Sequence, residues 1–363
     1  MTWVCSVCQG AHEWYLDRGG MASDKDIMAR MRWYMSKLMD EVQRHLRLKQ
    51  YSLKTERTYM HWIRCYVRYF LPKHPREMGM DGVKKYLTYL AVEKNVSPAT
   101  QNQCLAALLF LYRLLEIELG NIDFVRAKKE KHLPTVLTVD ETIALIENLT
   151  GVYKIMGQLM YGSGLRLNEC LNLRVKDIDF DNQVIILRDT KSNQDRVTCL
   201  PGSVIPALKL HLQKVKALHQ EDLANGYGEV EMPHALARKY KTAAWEWGWQ
   251  YVFPSAKLSK DPRSNRIGRH HIFESSVQRA VRASARKIGI MRPVGPHTLR
   301  HCFATHLLQA GENIRTIQEL LGHKKLETTM IYTHVLDSGA VKSPLDRISM
   351  TRQPVSKRML VES

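Results

Sequence analysis

Apolar residues recur every three to four positions over 36–49 and again over 54–71, a period that predicts two amphipathic helices. In the second, Tyr59, Trp62, Ile63, Tyr66, Val67 and Phe70 form the apolar stripe, and Arg57, His61, Arg64 and Arg68 lie among them. A third helix is expected over 82–94. A fourth opens at Ser97-Pro98, a hydroxyl N-cap followed by proline at the first helical position, and runs to 118. Residues 35–125 therefore read as a small, basic, all-helical domain, and 126–135, which is basic and poor in apolar residues, as a linker.

A second domain is expected over 136–348. Thr138-x-x-Glu141 is a capping box ahead of an apolar helix, and 152–162 and 166–173 keep the helical period. From Asp177 the period shortens to two, so 183–188 and 195–200 read as strands flanking a polar turn. Helix returns over 203–219. Residues 225–254 then interrupt the pattern as an insertion, with a Gly-rich entry and a short helix at 234–243. Trp245, Trp247, Trp249 and Tyr251 alternate after it, which predicts a strand or extended arm. Those rings would serve either as an aromatic plug between insertion and body or as a stacking surface for unpaired bases. Further helices are expected over 271–289, 298–310, 313–321 and 325–336, and 349–363 as a tail.

Composition sharpens this outline. Apolar residues make up 44% of the 363 and charged residues 25%, enough to build packed cores. Lys and Arg outnumber Asp and Glu by 54 to 36, a net charge of +18 that is spread along the chain. Such an excess aids solubility, but it also steers and holds a polyanion, and nucleic acid is the partner it favours. No run of about 18 apolar residues predicts a membrane span, and the N-terminus shows no signal-peptide core. Seven scattered cysteines suit a reduced compartment. Cys5-x-x-Cys8 with His12 lacks a clear fourth zinc ligand, so no metal or other cofactor is expected, and residues 1–34 read as a weakly ordered extension.

The chemistry sits in four short pieces: Gly164-Leu-Arg166-Leu-Asn-Glu169; His297-Thr-Leu-Arg300-His301; Leu321-Gly-His323; and Thr328-Thr-Met-Ile-Tyr332-Thr-His334. Cutting DNA without a metal needs a nucleophile, cations for the phosphate oxygens and a proton for the leaving 5′ oxygen. Arginine binds phosphate with a planar fork, histidine or lysine moves protons, and tyrosine attacks once nearby cations favour its phenolate. His297 and Arg300, three apart, share a helix face and can reach one phosphate. Arg166 comes from a separate helix start, where free N–H groups also favour anions.

In this order the pieces resemble the tyrosine recombinases of the phage-integrase type, over residues 36–348. The resemblance implies a mainly α fold with a small antiparallel β-sheet: a helical, SAM-like core-binding domain that clamps DNA, followed by an α+β catalytic domain. It assigns Arg166 and Arg300 to the scissile phosphate and paired basic roles to His297 and His323. Tyr332 becomes the nucleophile that forms a 3′-phosphotyrosyl link. Because that link keeps the energy of the phosphodiester, religation needs neither metal nor ATP. The family also places a lysine on the β-hairpin turn as general acid, and Lys191 matches by position, although the glycines usual beside it are absent. Glu169 supports Arg166, while His301, His306 and His334 match family positions as packing or supporting groups.

The insertion, from Met232-Pro-His through Trp245-Glu-Trp-Gly-Trp249 to Pro254, with Arg269-His270-His271 after it, resembles that of the integron integrases. This implies recombination between a double-stranded platform site and a cassette site folded as a single-stranded hairpin, whose expelled bases meet Trp249, Arg269, His270 and His271. A homotetramer on DNA in the bacterial cytoplasm, with the segment 343–348 docking on a neighbouring subunit, completes the expectation. Three alternatives stay open: a recombinase of duplex sites only, a silent DNA-binding protein of the same fold, and a type IB topoisomerase.

Overall fold

The computed structural model describes residues 24–120, 127, 134–188, 195–232, 234–261 and 265–333, with side chains from 35 onward and, among 234–237, for Leu236 alone. The chain divides into two compact units after Lys131.

The N-terminal unit contains α1 (Asp24–Leu48), α2 (Leu53–Tyr69), α3 (Pro75–Val92) and α4 (Pro98–Leu114). The first begins twelve residues before the apolar period does, so 24–34 are helical rather than a weakly ordered extension. Good helix formers behind Asp24 account for this. The third also starts before its predicted 82, at Pro75, where His74 Nδ1 accepts from the Arg76 N–H at 3.0 Å. Gly79, at φ 51° and ψ −146°, breaks that helix and hid its first turn from the periodicity.

Leu38, Val42, Leu46, Ile63, Leu87, Leu108 and Leu111 form the centre of this unit. Two buried phenols cross it. Tyr112 donates to the Pro75 carbonyl at 3.0 Å, so the 2.7 Å bond between the hydroxyls has Tyr66 as its donor. Gly82 lies beneath them, where a Cβ would stand 2.8 Å from Tyr66 Oη. Glu56 is 2% exposed and is held by Gln43 at 2.7 Å and Arg47 at 3.1 Å.

The C-terminal unit opens with α5 (Val139–Glu147), entered through the expected capping box: Thr138 Oγ1 accepts from the Glu141 N–H at 3.1 Å, and Glu141 Oε2 from the Thr138 N–H at 2.8 Å. Next come α6 (Val152–Gly162) and α7 (Leu167–Asn172). Strands β1 (Ile178–Asp179), β2 (Val184–Leu187) and β3 (Arg196–Cys199) make an antiparallel sheet in that order, with Ile185 opposite both Ile178 and Thr198. The helix α8 (Ile205–Ala224) leads to the insertion and its short α9 (His234–Lys239).

Residues 245–251 are not the strand that their alternation predicts. Two 3₁₀ turns, Ala243–Trp245 and Trp247–Trp249, occupy the segment. The amides of Trp245, Glu246, Trp249 and Gln250 each bond a carbonyl three residues back, which satisfies the backbone without a partner strand. A two-stranded ladder follows, β4 (Ser259–Lys260) with β5 (Ile267–Gly268). The unit ends in α10 (Glu274–Lys287), α11 (Pro296–Gln309), α12 (Ile314–Leu321) and α13 (Glu327–Met330). Its core gathers Leu145, Met156, Leu159, Leu171, Ile185, Phe253, Val281 and Leu299. The molecule is thus mainly helical with small antiparallel sheets. Among the described residues no helix is long and apolar enough to cross a membrane.

Candidate active site

The site forms where α7, β3, α11 and the end of α12 meet, and its organising group is the C-terminus of α12. A helix leaves its last carbonyls without partners. Gly322 caps α12 in the left-handed region, at φ 61° and ψ 46°. Three successive carbonyls there are each taken by a different arginine: Leu320 accepts from Arg196 Nη1 at 2.9 Å, Leu321 from Arg300 Nη2 at 2.5 Å, and Gly322 from Arg166 Nη2 at 3.4 Å. The negative end of the helix dipole thereby gathers three cations at one point.

Glu169 ties the same arginines together from the other side. Its carboxylate accepts from the Arg166 N–H at 2.7 Å, from Arg166 Nη1 at 2.5 Å and from Arg196 Nη2 at 2.5 Å, and it lies 3.7 Å from Arg300 Nη1. Burial alone would raise the Glu169 carboxyl, but Arg196, the Arg166 N–H and the Arg166 and Arg300 charges outweigh it and hold it below the carboxylate range. The N–H that begins α7 is thus committed to Glu169, and Arg166 offers its side chain rather than a helix start. Arg300 is 4% exposed and also donates to the Gly164 carbonyl at 2.5 Å. Gly164 reaches that position through φ 63°, pressed so close to Phe303 that a Cβ would lie 2.6 Å from its ring. Burial first, then Arg166, push the Arg300 guanidinium down to about 9, so it keeps its charge at neutral pH. Three arginines against one carboxylate leave the site positive.

His323 follows the cap. Arg300 can only donate, so His323 Nε2 accepts from Arg300 Nη2 at 3.2 Å, and Nδ1–H donates to the buried Thr329 hydroxyl at 2.9 Å. Burial, Arg300, Arg166 and Arg196 push this imidazole down to about 4, and it is neutral at physiological pH. His297 is exposed at the start of α11 and has no hydrogen bond within the described residues. Desolvation and the charges of Arg300 and Arg166 lower its pKa against Glu274 and Glu169.

Tyr332 is 2% exposed and packs with Phe303, Ala304, Ile317 and Leu321. Its ring stacks toward His323, centroids 6.4 Å apart. Burial raises its pKa above 10.0 even though Arg300 and Arg166 pull the other way. The cations favour the phenolate, as the sequence suggests, but burial outweighs them and the phenol keeps its proton in this state. Its hydroxyl lies 3.0 Å from His301 Nδ1, at hydrogen-bond distance. His301, read from sequence as a packing or supporting group, thus sits against the Tyr332 hydroxyl.

Lys191 lies outside the described residues, as do His334, the segment 343–348 and Cys5, Cys8 and His12. Among the described residues no cluster of His, Cys, Asp or Glu could hold a metal.

A second constellation surrounds the insertion. The Arg174 guanidinium stacks 3.6 Å above the Tyr251 ring, while Nη1 donates to the Trp249 carbonyl and Nη2 to that of Glu231, each at 2.9 Å. Lys176 places its ammonium over the Trp249 ring, which packs on Met232, Ala243 and Ala244. His270 Nε2 bonds Glu231 Oε2 at 3.0 Å, and the His270 and His271 rings lie 4.0 Å apart. Burial pushes His271 down to about 4, and its Nδ1–H donates to the Ile272 carbonyl at 2.7 Å. Arg269 is committed to the protein itself: Nε and Nη2 clasp both oxygens of Asp222, and Nη1 donates to the Ser255 and Ala256 carbonyls at 2.9 and 3.0 Å.

Sequence reading gave no role to Arg196, Arg174 or Lys176. One signal was available for Arg196: strand alternation puts it on the face of Thr198, which is 1% exposed.

Known proteins resemble this chain in sequence and in fold. The descriptions "Phage integrase, N-terminal SAM-like domain" and "Phage integrase family" match residues 38–120 and 135–338. An integrase/recombinase of Escherichia coli is 43% identical over 316 residues, covering 86% of this chain and 94% of its own. A tyrosine recombinase XerD of Agrobacterium fabrum is 30% identical over 303 residues, covering 78% and 82%. In fold, the chain resembles a lambda integrase dimer bound to a core site, with a TM-score of 0.55 and 18% identity over 82% of this chain and 94% of that one. XerH recombinase bound to its palindromic substrate gives a TM-score of 0.54 and 19% identity over 89% and 84%.

Proposed function

The chain belongs to the phage integrase family, and from that premise we propose that it inserts and excises gene cassettes by joining an integron platform site to folded single-stranded cassette sites. The coarser activity is that of the family: site-specific DNA recombination by a tyrosine recombinase, which cleaves and religates strands. Its fold is a SAM-like helical unit followed by the catalytic unit.

The chemistry we assign starts with a phosphodiester held by Arg166 and Arg300. Their positions are preset by Glu169 and by the α12 carbonyls, so little reorganisation is needed when charge grows on the phosphate oxygens. Tyr332 Oη attacks phosphorus, the 5′ oxygen leaves with a proton from Lys191, and a 3′-phosphotyrosyl ester results. His297, exposed beside Arg300, and His323, bonded to it, complete the cationic surround. Two sites, each carrying two subunits, make a homotetramer on DNA.

The observation that carries the catalytic reading is the convergence of three arginines on Glu169 within reach of the buried Tyr332. The integron reading rests on the half-buried rings of Trp249, His270 and His271, with Arg174 stacked on the buried Tyr251 beside them. There aromatic planes are braced by cations, chemistry suited to expelled bases. Arg269 enters this reading as the brace that fixes His270 and His271.

A nicked suicide substrate tests the first part. Wild type should form a covalent adduct and Tyr332→Phe none. A gel shift tests the second. The folded bottom strand of a cassette site should bind more tightly than the top strand or the duplex, and equal binding of all three would sink the integron reading.

A further inference from the structure

We propose that His301 is the group that takes the proton from Tyr332 as it attacks, and that returns it when the strand is resealed. This rests on the reading of Tyr332 as nucleophile. Three observations carry it. His301 Nδ1 lies 3.0 Å from Tyr332 Oη, hydrogen-bond distance from the atom that must lose a proton. The other two site histidines are not placed for the task. His323 spends Nε2 on Arg300 and Nδ1 on Thr329, and His297 has no hydrogen bond to the phenol. Finally, Tyr332 is enclosed by Phe303, Ala304, Ile317 and Leu321, so bulk water is not a competing acceptor.

The role fixes the tautomer. With the phenol donating to Nδ1, the neutral imidazole carries its own proton on Nε2. Burial first, then the neighbouring His297 and Arg300, disfavour a second proton before DNA arrives. A phosphodiester seated on Arg166 and Arg300 brings negative charge toward the pair and offsets that penalty. The Oη–P bond then forms, the proton passes from Oη to Nδ1, and the P–O5′ bond breaks with its electrons going to the 5′ oxygen. That oxygen is protonated separately, by the general acid assigned above to Lys191. In resealing, the 5′ hydroxyl attacks, the Oη–P bond breaks, and the imidazolium protonates the departing phenolate.

The test separates service to Tyr332 from support of the phosphate site. His301→Ala should lower single-turnover adduct formation on the nicked substrate by about 100-fold. His301→Asn, whose side-chain oxygen can accept the hydrogen bond but not hold the proton, should fall nearly as far. The second measurement is made in the Tyr332→Phe background, on DNA carrying a 3′-p-nitrophenyl phosphate. There the leaving group departs as a stable anion, and a 5′-hydroxyl strand is joined without the tyrosine. Adding His301→Ala or His301→Asn should leave that joining within about threefold of Tyr332→Phe alone. Wild-type adduct formation by His301→Asn would overturn the proposal, as would parallel losses in both assays by both variants. Adduct formation by Tyr332→Phe itself would instead overturn the assignment of the nucleophile.

Discussion

Gly322 and Arg196 are packed so closely that a Cβ on the glycine would stand 2.6 Å from Arg196 Cδ and 2.8 Å from its Nε. The same glycine holds φ 61°, which turns the end of α12 so that its last carbonyls meet three arginines. Gly322→Ala therefore strains the backbone and displaces Arg196. It should cost about 1–2 kcal/mol of stability, seen as a lower Tm. Adduct formation should fall further than that loss explains, because the acceptors of Arg166 and Arg300 move together. Unchanged Tm and unchanged trapping would contradict this account.

Glu169 should matter through its charge. Glu169→Gln keeps the shape but leaves Arg166, Arg196 and Arg300 without their counter-charge, at a cost of about 2 kcal/mol near pH 7. The folded-state pKa lies below the ordinary 4.5, so the wild-type advantage is complete above that value and is lost as pH falls through the lowered one. Thermal unfolding of both proteins between pH 7 and pH 3 should show the two curves converging at the acid end. A gap that stays constant would mean that the carboxylate charge does not carry the difference.

Arg269 should behave as a brace. Asp222 is 6% exposed, and removing Arg269 leaves it buried without its bidentate partner. Arg269→Ala should cost about 3 kcal/mol, and Asp222→Asn in the same chain should recover part of it. Duplex and folded-hairpin affinities should shift by similar factors in Arg269→Ala. Loss of hairpin binding with unchanged Tm would instead make Arg269 a direct contact.

Trp249 should discriminate between DNA forms. Trp249→Ala removes a stacking plane worth about 1–3 kcal/mol per base, so folded-hairpin affinity should drop about tenfold or more while duplex affinity changes little. Equal losses for both forms would mark the tryptophan as packing for Met232, Ala243 and Ala244 only.

Local chemistry in the sequence was readable, and long-range chemistry was not. The helix over 152–162, the Thr138–Glu141 box and the Ser97 cap are each decided by residues within a few positions, and each stands as expected. The same holds for the pairing of β2 with β3. The tryptophan alternation misled because period two describes a strand only where a neighbouring strand takes its hydrogen bonds. Arg196 was overlooked, and the contact of His301 with Tyr332 went unread, because their partners lie 27 and 31 positions away. The burial that raises the Tyr332 pKa was illegible for a related reason. Its cationic neighbours show in the motifs, but the ring's burial depends on residues from α11 and α12.

That burial bears on how long a cut can be left open. With Tyr332 as the proposed nucleophile, the phosphotyrosyl ester would form at the oxygen that the apolar wall of Phe303, Ile317 and Leu321 encloses. A wall that keeps water from the phenol also keeps it from the ester, while a 5′ hydroxyl delivered by paired DNA arrives already positioned. Hydrolysis would leave a broken strand; enclosure biases the bond toward waiting for a strand end from the other site.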